Sequence, residues 1–310
     1  MSPGFFVWNV MREAMGALPP TLAAKIARGL GFGTYYLMRE KRRIALENFA
    51  HVLDKPAKDP AVKRVARESF INYTVYLLHL LRFENATPDE LTRRVHFESA
   101  PETEAALQLD YPIIMVSIHF GNMDYAGPAA IKRYRPLTIA AETIKPVDLF
   151  EHLARVRAKH GMHLIPYDRA PRKIIEALKR KELIAFMLDI GINGFEDLNR
   201  APVTFFGKPT LFPSNPLILA QRYNAPLFCI FAHNGSGEDI HVHIDGPFHI
   251  PKHLPRAQAE RQVMQQIAAS FERTIRAHPA QWYIYRPMWK SDTSTAALRR
   301  APDSTSPDLI

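Results

Sequence analysis

With 310 residues, of which 47% are hydrophobic and 10% aromatic, the chain can bury the core of one α/β domain with a small helical attachment. Its net charge of +9 favours an anionic partner, either a nucleic acid or an anionic membrane; a basic surface without a partner is the alternative. The single cysteine, Cys229, excludes an intrachain disulfide, argues against a cysteine-based zinc site and is expected to be a small buried hydrophobe.

The first 98 residues are predicted to form a helical region that associates with a membrane. Its apolar segments at 5–11 and 31–38 are shorter than the roughly 18 consecutive apolar residues of a transmembrane helix, and no cleavable leader is evident. The basic residues 41–43 follow the second segment closely, a pattern typical of helices that lie on a bilayer surface. The alternative is that the aromatic side chains of these segments pack on the domain.

The pattern along the chain then changes from helices to alternating strands and helices. Amphipathic helices are predicted over 41–54 and 60–83, the second opening at Pro60, and Pro88 marks the next loop. Short apolar runs predict buried strands at 112–118, 137–141, 183–188 and 226–232. Between them, helices are predicted at 148–160, 171–181 and 214–224. A one-sided strand over 240–244 and a helix over 256–277 follow.

This alternation predicts an α/β fold with a mostly parallel central sheet that is flanked by helices on both faces. We therefore divide the chain into the helical region 1–98, an α/β domain over 99–290 and a disordered tail over 291–310. Polar side chains follow the predicted strands at His119, Glu142, Asp189 and His233. Because ligands bind beyond the carboxyl ends of parallel strands, an active site is expected there.

The six residues HFGNMD, 119–124, combine a histidine and an aspartate at a strand end. A neutral imidazole is a good general base near pH 7 when a carboxylate on its other nitrogen fixes its tautomer. Five residues turn a helix by about 500°, so His119 and Asp124 meet only if the chain bends between them, which Gly121 permits. A helix beginning near Asn122 would place Asp124 in its first turn. The alternative is a strand-end histidine and a helix-start aspartate without contact.

HFGNMD resembles the HX4D motif of the glycerolipid and lysophospholipid acyltransferase superfamily. Its Phe-Gly-Asn interior is similar to the branch that contains the lipid A late acyltransferases and the phosphatidylinositol mannoside acyltransferase. Further similar stretches are KRRIALENFAHV (41–52), AETIKPVDLFEHLARVRAKHGM (141–162), LDIGINGFEDLNRAPVTFFGKPT (188–210) and AHPAQWYIYRPMWK (277–290). The resemblance covers about residues 40–290 and implies that the α/β domain is catalytic.

The resemblance implies a role for several residues. His119 would be the general base and Asp124 its orienting partner. Arg157, with Arg155 as the fallback, matches an arginine that contacts substrate phosphate or shapes the site, which suits a planar guanidinium that holds phosphate in two bonds. Asp189 matches the strand-end acid of the family, but Ile190 follows it where Gln, His or Arg is usual, so the role of that second position is in doubt.

Two further substrate contacts are expected on chemical grounds. The thioester carbonyl gains negative charge during transfer, and the backbone N–H groups of Gly121 and Asn122 are the simplest donors to it. Glu142 either helps to bind a polar head group or only caps the next turn. No metal and no cofactor are expected beyond the thioester co-substrate, acyl-CoA or acyl carrier protein.

The sequence therefore predicts an O-acyltransferase that moves a fatty acyl group to a hydroxyl of a membrane glycolipid or phospholipid. No nucleic-acid motif accompanies the positive charge, so the expected partners are an anionic membrane surface, the acyl donor and the lipid acceptor. We expect a monomer bound peripherally at the cytoplasmic face of the cell membrane. One alternative is a non-catalytic lipid-binding member of the same fold. The other is a hydrolase that releases free fatty acid.

Overall fold

The computed structural model describes residues 2–166, 171–191, 199–235 and 237–289. The predicted tail over 291–310 lies outside these ranges. Five helices open the chain: α1 (Pro3–Ala17), α2 (Pro20–Leu37), α3 (Arg39–Leu53), α4 (Pro60–Phe83) and α5 (Pro88–Arg93). The helices predicted over 41–54 and 60–83 are confirmed as α3 and α4. Pro88 begins α5 instead of marking a loop, because Thr87 and Glu90 form a capping box around it.

A seven-stranded sheet forms the centre of the molecule. Its strands are β1 (Val95–Phe97), β2 (Ile113–Ser117), β3 (Leu137–Ala141), β4 (Met162–Pro166), β5 (Leu183–Met187), β8 (Leu227–Asn234) and β9 (Ile240–Phe248). They are arranged in the order β1-β9-β8-β2-β5-β3-β4, and every neighbouring pair is parallel except β8 and β9. The predicted α/β class and mostly parallel sheet are therefore confirmed. A separate antiparallel hairpin consists of β6 (Arg200–Phe205) and β7 (Lys208–Pro213).

Helices cover both faces of this sheet. They are α6 (Pro101–Gln108), α7 (Met123–Arg133), α8 (Val147–Lys159), α9 (Pro171–Lys179), α10 (Asn215–Tyr223) and α11 (Arg256–Ala277), followed by a 3-10 turn at Pro279–Gln281. Side chains of a strand alternate between the two faces. In β2, Ile114 and Val116 pack into a core with residues of α3, α4 and α11, whereas Ile113 and Met115 pack into a second core with residues of α7. The central strands are consequently apolar at most positions, with Ser117 in β2 and Thr138 in β3 as buried exceptions.

Candidate active site

The imidazole of His119 is paired with the carboxylate of Asp189. His119 Nδ1 lies 2.8 Å from Asp189 Oδ1, and the backbone N–H of His119 donates to Asp189 Oδ2 at 2.9 Å. The indole Nε1–H of Trp282 donates to the same Oδ2 at 2.9 Å. Asp189 is fully buried, while 49% of the His119 side chain is exposed. The carboxylate therefore fixes the ring orientation, and Nε2 is the ring nitrogen left for a substrate.

The strand register explains why these two residues meet. Strands β2 and β5 are parallel neighbours, and their last pair is Ser117 with Met187. The Leu188 N–H continues the ladder by donating to the Ser117 carbonyl at 2.9 Å. His119 and Asp189 thus each lie two residues beyond the last pair, on adjacent strands and at the same edge of the sheet. The ligand site expected at this edge is consistent with such an arrangement.

The charge of Asp189 also sets the protonation of His119. Loss of water around the ring lowers the pKa of the imidazole, but the negative charge and the hydrogen bond of Asp189 outweigh this effect. The pKa of His119 consequently lies above its ordinary value of about 6.5. Arg286 lowers this pKa and Glu142 raises it, with smaller effects than Asp189. The positive shift makes His119 a stronger base than a free imidazole.

Asp124 has different partners from the one predicted. Its Oδ1 accepts from Arg157 Nε at 2.6 Å, and its Oδ2 accepts from Arg157 Nη2 at 3.0 Å and from the Tyr76 hydroxyl at 2.8 Å. The prediction that Asp124 orients His119 is therefore corrected: the first turn of α7 directs Asp124 towards α8 and α4, and Asp189 occupies the place beside the imidazole. Burial raises the pKa of Asp124, but Arg157 and Tyr76 outweigh this and the pKa is lowered.

Arg157 is engaged by this carboxylate instead of standing free for a phosphate. Its side chain is only 15% exposed, and two of its three guanidinium nitrogens donate to Asp124. Of the two roles that the resemblance offered, a phosphate contact and shaping of the site, the observed geometry favours the second. Arg155, the fallback, lies exposed on the same helix.

The bend predicted at Gly121 is present. Gly121 has φ +55°, and a Cβ at this position would lie 1.8 Å from the Ala232 carbonyl oxygen, so only glycine fits. Helix α7 begins directly afterwards, with Asn122 as its N-cap. The Gly121 N–H donates to Gln281 O at 2.9 Å and the Asn122 N–H to Ala232 O at 2.8 Å. The proposal that these two N–H groups stabilise the oxyanion is therefore corrected, because both already donate to carbonyl groups.

Glu142 forms an ion pair near the imidazole. Its carboxylate oxygens lie 3.1 and 3.3 Å from Arg286 Nη2. Both side chains are partly exposed, 33% for Glu142 and 42% for Arg286. Glu142 is thus paired with a cation, and both side chains act electrostatically on the imidazole of His119. His233, the fourth polar residue at a strand end, stacks instead against His241 and His278, with ring centroids 5.2 and 4.3 Å away.

The closing segment after the 3-10 turn supplies residues that sequence reasoning did not place in the site. Trp282 pairs with Phe120 in an isolated antiparallel bridge, and the Tyr283 N–H donates to the His119 carbonyl at 2.8 Å. Asn48 of α3 holds this segment by donating to the carbonyl groups of Ile284 and Arg286. The sequence signal for this segment was the resemblance of 277–290 to the family pattern. It indicated that the segment is part of the catalytic domain but not which residues it contacts.

Comparisons with known proteins place the chain among the lipid acyltransferases. It belongs to the bacterial lipid A biosynthesis acyltransferase family, whose sequence model matches residues 3–291. The phosphatidylinositol mannoside acyltransferases of two Mycobacterium tuberculosis strains are 28% identical over 267 residues, which cover 82% of this chain and 78% of theirs. The crystal structure of the 1-acyl-sn-glycerophosphate (LPA) acyltransferase PlsC from Thermotoga maritima is similar with a TM-score of 0.36 and 17% identity, covering 80% of this chain and 97% of that one. The predicted family is confirmed.

Proposed function

We propose that the chain transfers a fatty acyl group from acyl-CoA or acyl carrier protein to a hydroxyl of a membrane glycolipid or phospholipid, with His119 as the general base. The observation that supports this most directly is the pairing of His119 Nδ1 with the buried Asp189 carboxylate. This pairing holds the Nδ1–H tautomer and leaves the lone pair of Nε2 on a half-exposed ring. That state is the one a general base requires.

The reaction follows from this tautomer. Nε2 takes the proton of the acceptor hydroxyl as its oxygen attacks the thioester carbonyl, and Asp189 stabilises the imidazolium that forms. The tetrahedral intermediate then collapses, the C–S bond breaks, and the imidazolium returns its proton to the leaving thiolate. The acyl group ends on the acceptor oxygen, and His119 is neutral again. The transfer is direct, without an acyl-enzyme.

The other site residues would position the reactants. Arg157 and Tyr76 hold Asp124, and we assign these three a positioning role at the start of α7. Arg286 and Glu142 are partly exposed beside the imidazole, and we assign them the polar head group of a substrate. A guanidinium suits phosphate and a carboxylate suits sugar hydroxyl groups. The relatives named for acylation of a mannosylated phosphoinositide make a sugar hydroxyl the first acceptor to test.

The acceptor would be reached from the membrane surface. Helices α1 and α2 expose large apolar side chains, with Phe6, Val7, Leu30 and Leu37 among them. No helix in the described part of the chain is long and apolar enough to span a bilayer. Because these apolar side chains are exposed, we propose peripheral association through the two helices, at the cytoplasmic face of the membrane, where both thioester donors occur.

Transfer by the purified protein tests the proposal. Parent protein, palmitoyl-CoA and mixed micelles of a candidate acceptor should give acylated lipid by mass spectrometry and free thiol in equal amounts. His119→Ala should lower the rate by at least about 10²-fold, the usual contribution of a general base. The matched control is His96→Ala, because the His96 side chain is also 49% exposed but lies on the edge strand β1.

The outcomes separate the three functions. Thiol release equal to lipid acylation supports the transferase. Free fatty acid without an acceptor would identify a hydrolase. Vesicle binding without any thioester consumption, over a range of donors and acceptors, would identify a non-catalytic lipid-binding protein. If His119→Ala and His96→Ala were equally active, His119 would not be the base.

A further inference from the structure

A basic surface cavity lies on helix α3, apart from the histidine–carboxylate pair. It has a volume of about 280 Å³, enough for a phosphate group and several waters at roughly 30 Å³ each. Parts of α3, the connection to α4 and the first turn of α4 form it. The lining residues are Arg39, Arg42, Arg43, Leu46, Glu47, Ala57, Lys58 and Lys63. We refer to it as the α3 cavity.

The α3 cavity carries an excess of positive charge that the protein does not neutralise. Its single carboxylate, Glu47, accepts from Arg43 Nη1 at 2.7 Å, one helical turn away. The four remaining cations form no ion pair with any residue in the described ranges: Arg39, Arg42, Lys58 and Lys63. A concave surface that carries more cations than carboxylates is suited to bind an anion. Guanidinium groups favour phosphate in particular.

An exposed apolar surface adjoins this cavity. The last residues of α2 and the residue that joins it to α3 are exposed by 46% to 81%: Phe32, Tyr36, Leu37 and Met38. Arg42 connects the two surfaces, since it lines the cavity and its guanidinium lies 6.0 Å from the ring centre of Tyr36. Exposed apolar and aromatic groups beside cations are the composition of a bilayer interface, where the former reach the acyl chains and the latter the phosphates.

Helix α3 also contacts the segment that supports the catalytic histidine. Lys41 Nζ donates to the Tyr285 carbonyl at 3.3 Å, and the Tyr283 N–H in turn donates to the His119 carbonyl. A helix rises about 1.5 Å per residue, so Lys41 lies within one turn of Arg39 and Arg43. A lipid head group in the α3 cavity would therefore fix the bilayer surface relative to the catalytic edge of the sheet.

We infer that the α3 cavity binds the phosphate of an anionic phospholipid in the bilayer surface and thereby orients the enzyme on the membrane. This inference rests on the peripheral membrane association proposed above and adds a discrete site to it. A phosphate of the acyl donor has the same chemistry, but the exposed apolar end of α2 favours a lipid. Binding of the acyl donor in the α3 cavity is consequently one of the outcomes that the test distinguishes.

Vesicle binding with matched charges tests the site. Phosphatidylcholine vesicles containing about one third phosphatidylglycerol are compared with vesicles that carry a carboxylate lipid, adjusted to the same surface potential. The double variant Lys58→Gln/Lys63→Gln should bind the phosphatidylglycerol vesicles about 10- to 30-fold more weakly than the parent, as expected for two cations near an anionic surface. The parent should prefer the phosphate lipid by about fivefold, and the variant should lose this preference.

The control double variant, Arg93→Gln/Lys132→Gln, removes the same charge from a second surface cavity beside α7. Its binding should change by less than about threefold. Two results would overturn the inference: equal losses of vesicle binding in the two double variants, or equal binding of the two vesicle types by the parent. Either result would show that the α3 cavity contributes only general electrostatic attraction. A raised KM for acyl-CoA or acyl carrier protein, with vesicle binding unchanged, would overturn it in favour of the donor.

Activity on micellar substrates keeps this test separate from the proposed function. Both double variants should transfer acyl groups in micelles at the parent kcat, because neither touches the His119–Asp189 pair. His119→Ala should bind vesicles as the parent does. Absence of transfer by the parent protein in micelles would thus contradict the catalytic proposal, whereas only the vesicle comparison bears on the α3 cavity.

Discussion

Replacing Asp189 by asparagine tests which carboxylate serves the imidazole. Oδ2 of Asp189 accepts two N–H groups, those of the His119 backbone and of the Trp282 indole, whereas Oδ1 faces His119 Nδ1. In Asp189→Asn the amide oxygen should take the place with two donors, and the NH₂ group should then face Nδ1. Nδ1 must become an acceptor, so the ring proton moves to Nε2. The histidine would be held in the tautomer that cannot accept a proton.

The size of the effect follows from this change of tautomer. The same exchange in the serine protease triad lowers kcat about 10⁴-fold. Because 49% of the His119 side chain is exposed, the ring can leave the unfavourable contact in part. We therefore expect a fall in kcat of about 10³- to 10⁴-fold, equivalent to about 4–5.5 kcal/mol. Asparagine keeps the size of the side chain and two of its hydrogen bonds. The melting temperature should therefore change by only a few degrees.

The pH profile gives a second, independent reading. In the parent, kcat/KM should rise with pH as the imidazole loses its proton, with a midpoint above about 6.5 because Asp189 raises the pKa of His119. Without the carboxylate, desolvation and Arg286 lower the pKa of His119 and only the smaller effect of Glu142 raises it. The midpoint should therefore move to lower pH, and the plateau rate should also be lower. Initial rates of thiol release, measured between about pH 5 and 9, give both the midpoint and the plateau. A rate within about tenfold of the parent, with an unmoved midpoint, would refute the pairing.

Two further changes address the rest of the motif. Asp124→Asn removes the charge from a buried ion pair and leaves Arg157 without a counterion, so it should lower the free energy of unfolding by about 3–5 kcal/mol in urea titrations, without shifting the pH midpoint of residual activity. A large shift of that midpoint would show that Asp124 acts on His119 after all. Gly121→Ala places a Cβ 1.8 Å from Ala232 O at φ +55°, and we expect little folded protein; a stable, active variant would contradict the close approach.

The central strands could be predicted from the sequence because burial on both faces makes most of their positions apolar. The predicted runs at 112–118, 137–141, 183–188 and 226–232 correspond to β2, β3, β5 and β8. The edge strands lack this signal: β1 has only three residues, and β4 carries an exposed His163 and ends at Pro166. The hairpin of β6 and β7 was not predicted either, because Pro202 and Pro209 interrupt its pattern, although a two-stranded ribbon tolerates proline.

The site could be predicted only as far as local sequence determines it. The end of β2, the turn at Gly121 and the start of α7 at Asn122 are consecutive, and their order appears directly in HFGNMD. The partner of His119 depends instead on strand order, which no local pattern contains. Asp189 was recognised as a strand-end acid, but 70 residues separate it from His119, and only the pairing of β2 with β5 brings the two together.

The geometry of the turn explains why Asp124 follows His119 by five residues although the two side chains are not in contact. The bend at Gly121 is strained for any other residue, and it must be held on both sides to keep the imidazole in place. Asp189 and Tyr283 hold the chain before the bend, through the N–H and the carbonyl of His119. Beyond the bend, Asp124 ties the first turn of α7 to Arg157 and Tyr76 on two other helices. With His119 as the proposed base, the motif combines that base with one anchoring carboxylate, and their spacing is the length of the turn that separates β2 from α7.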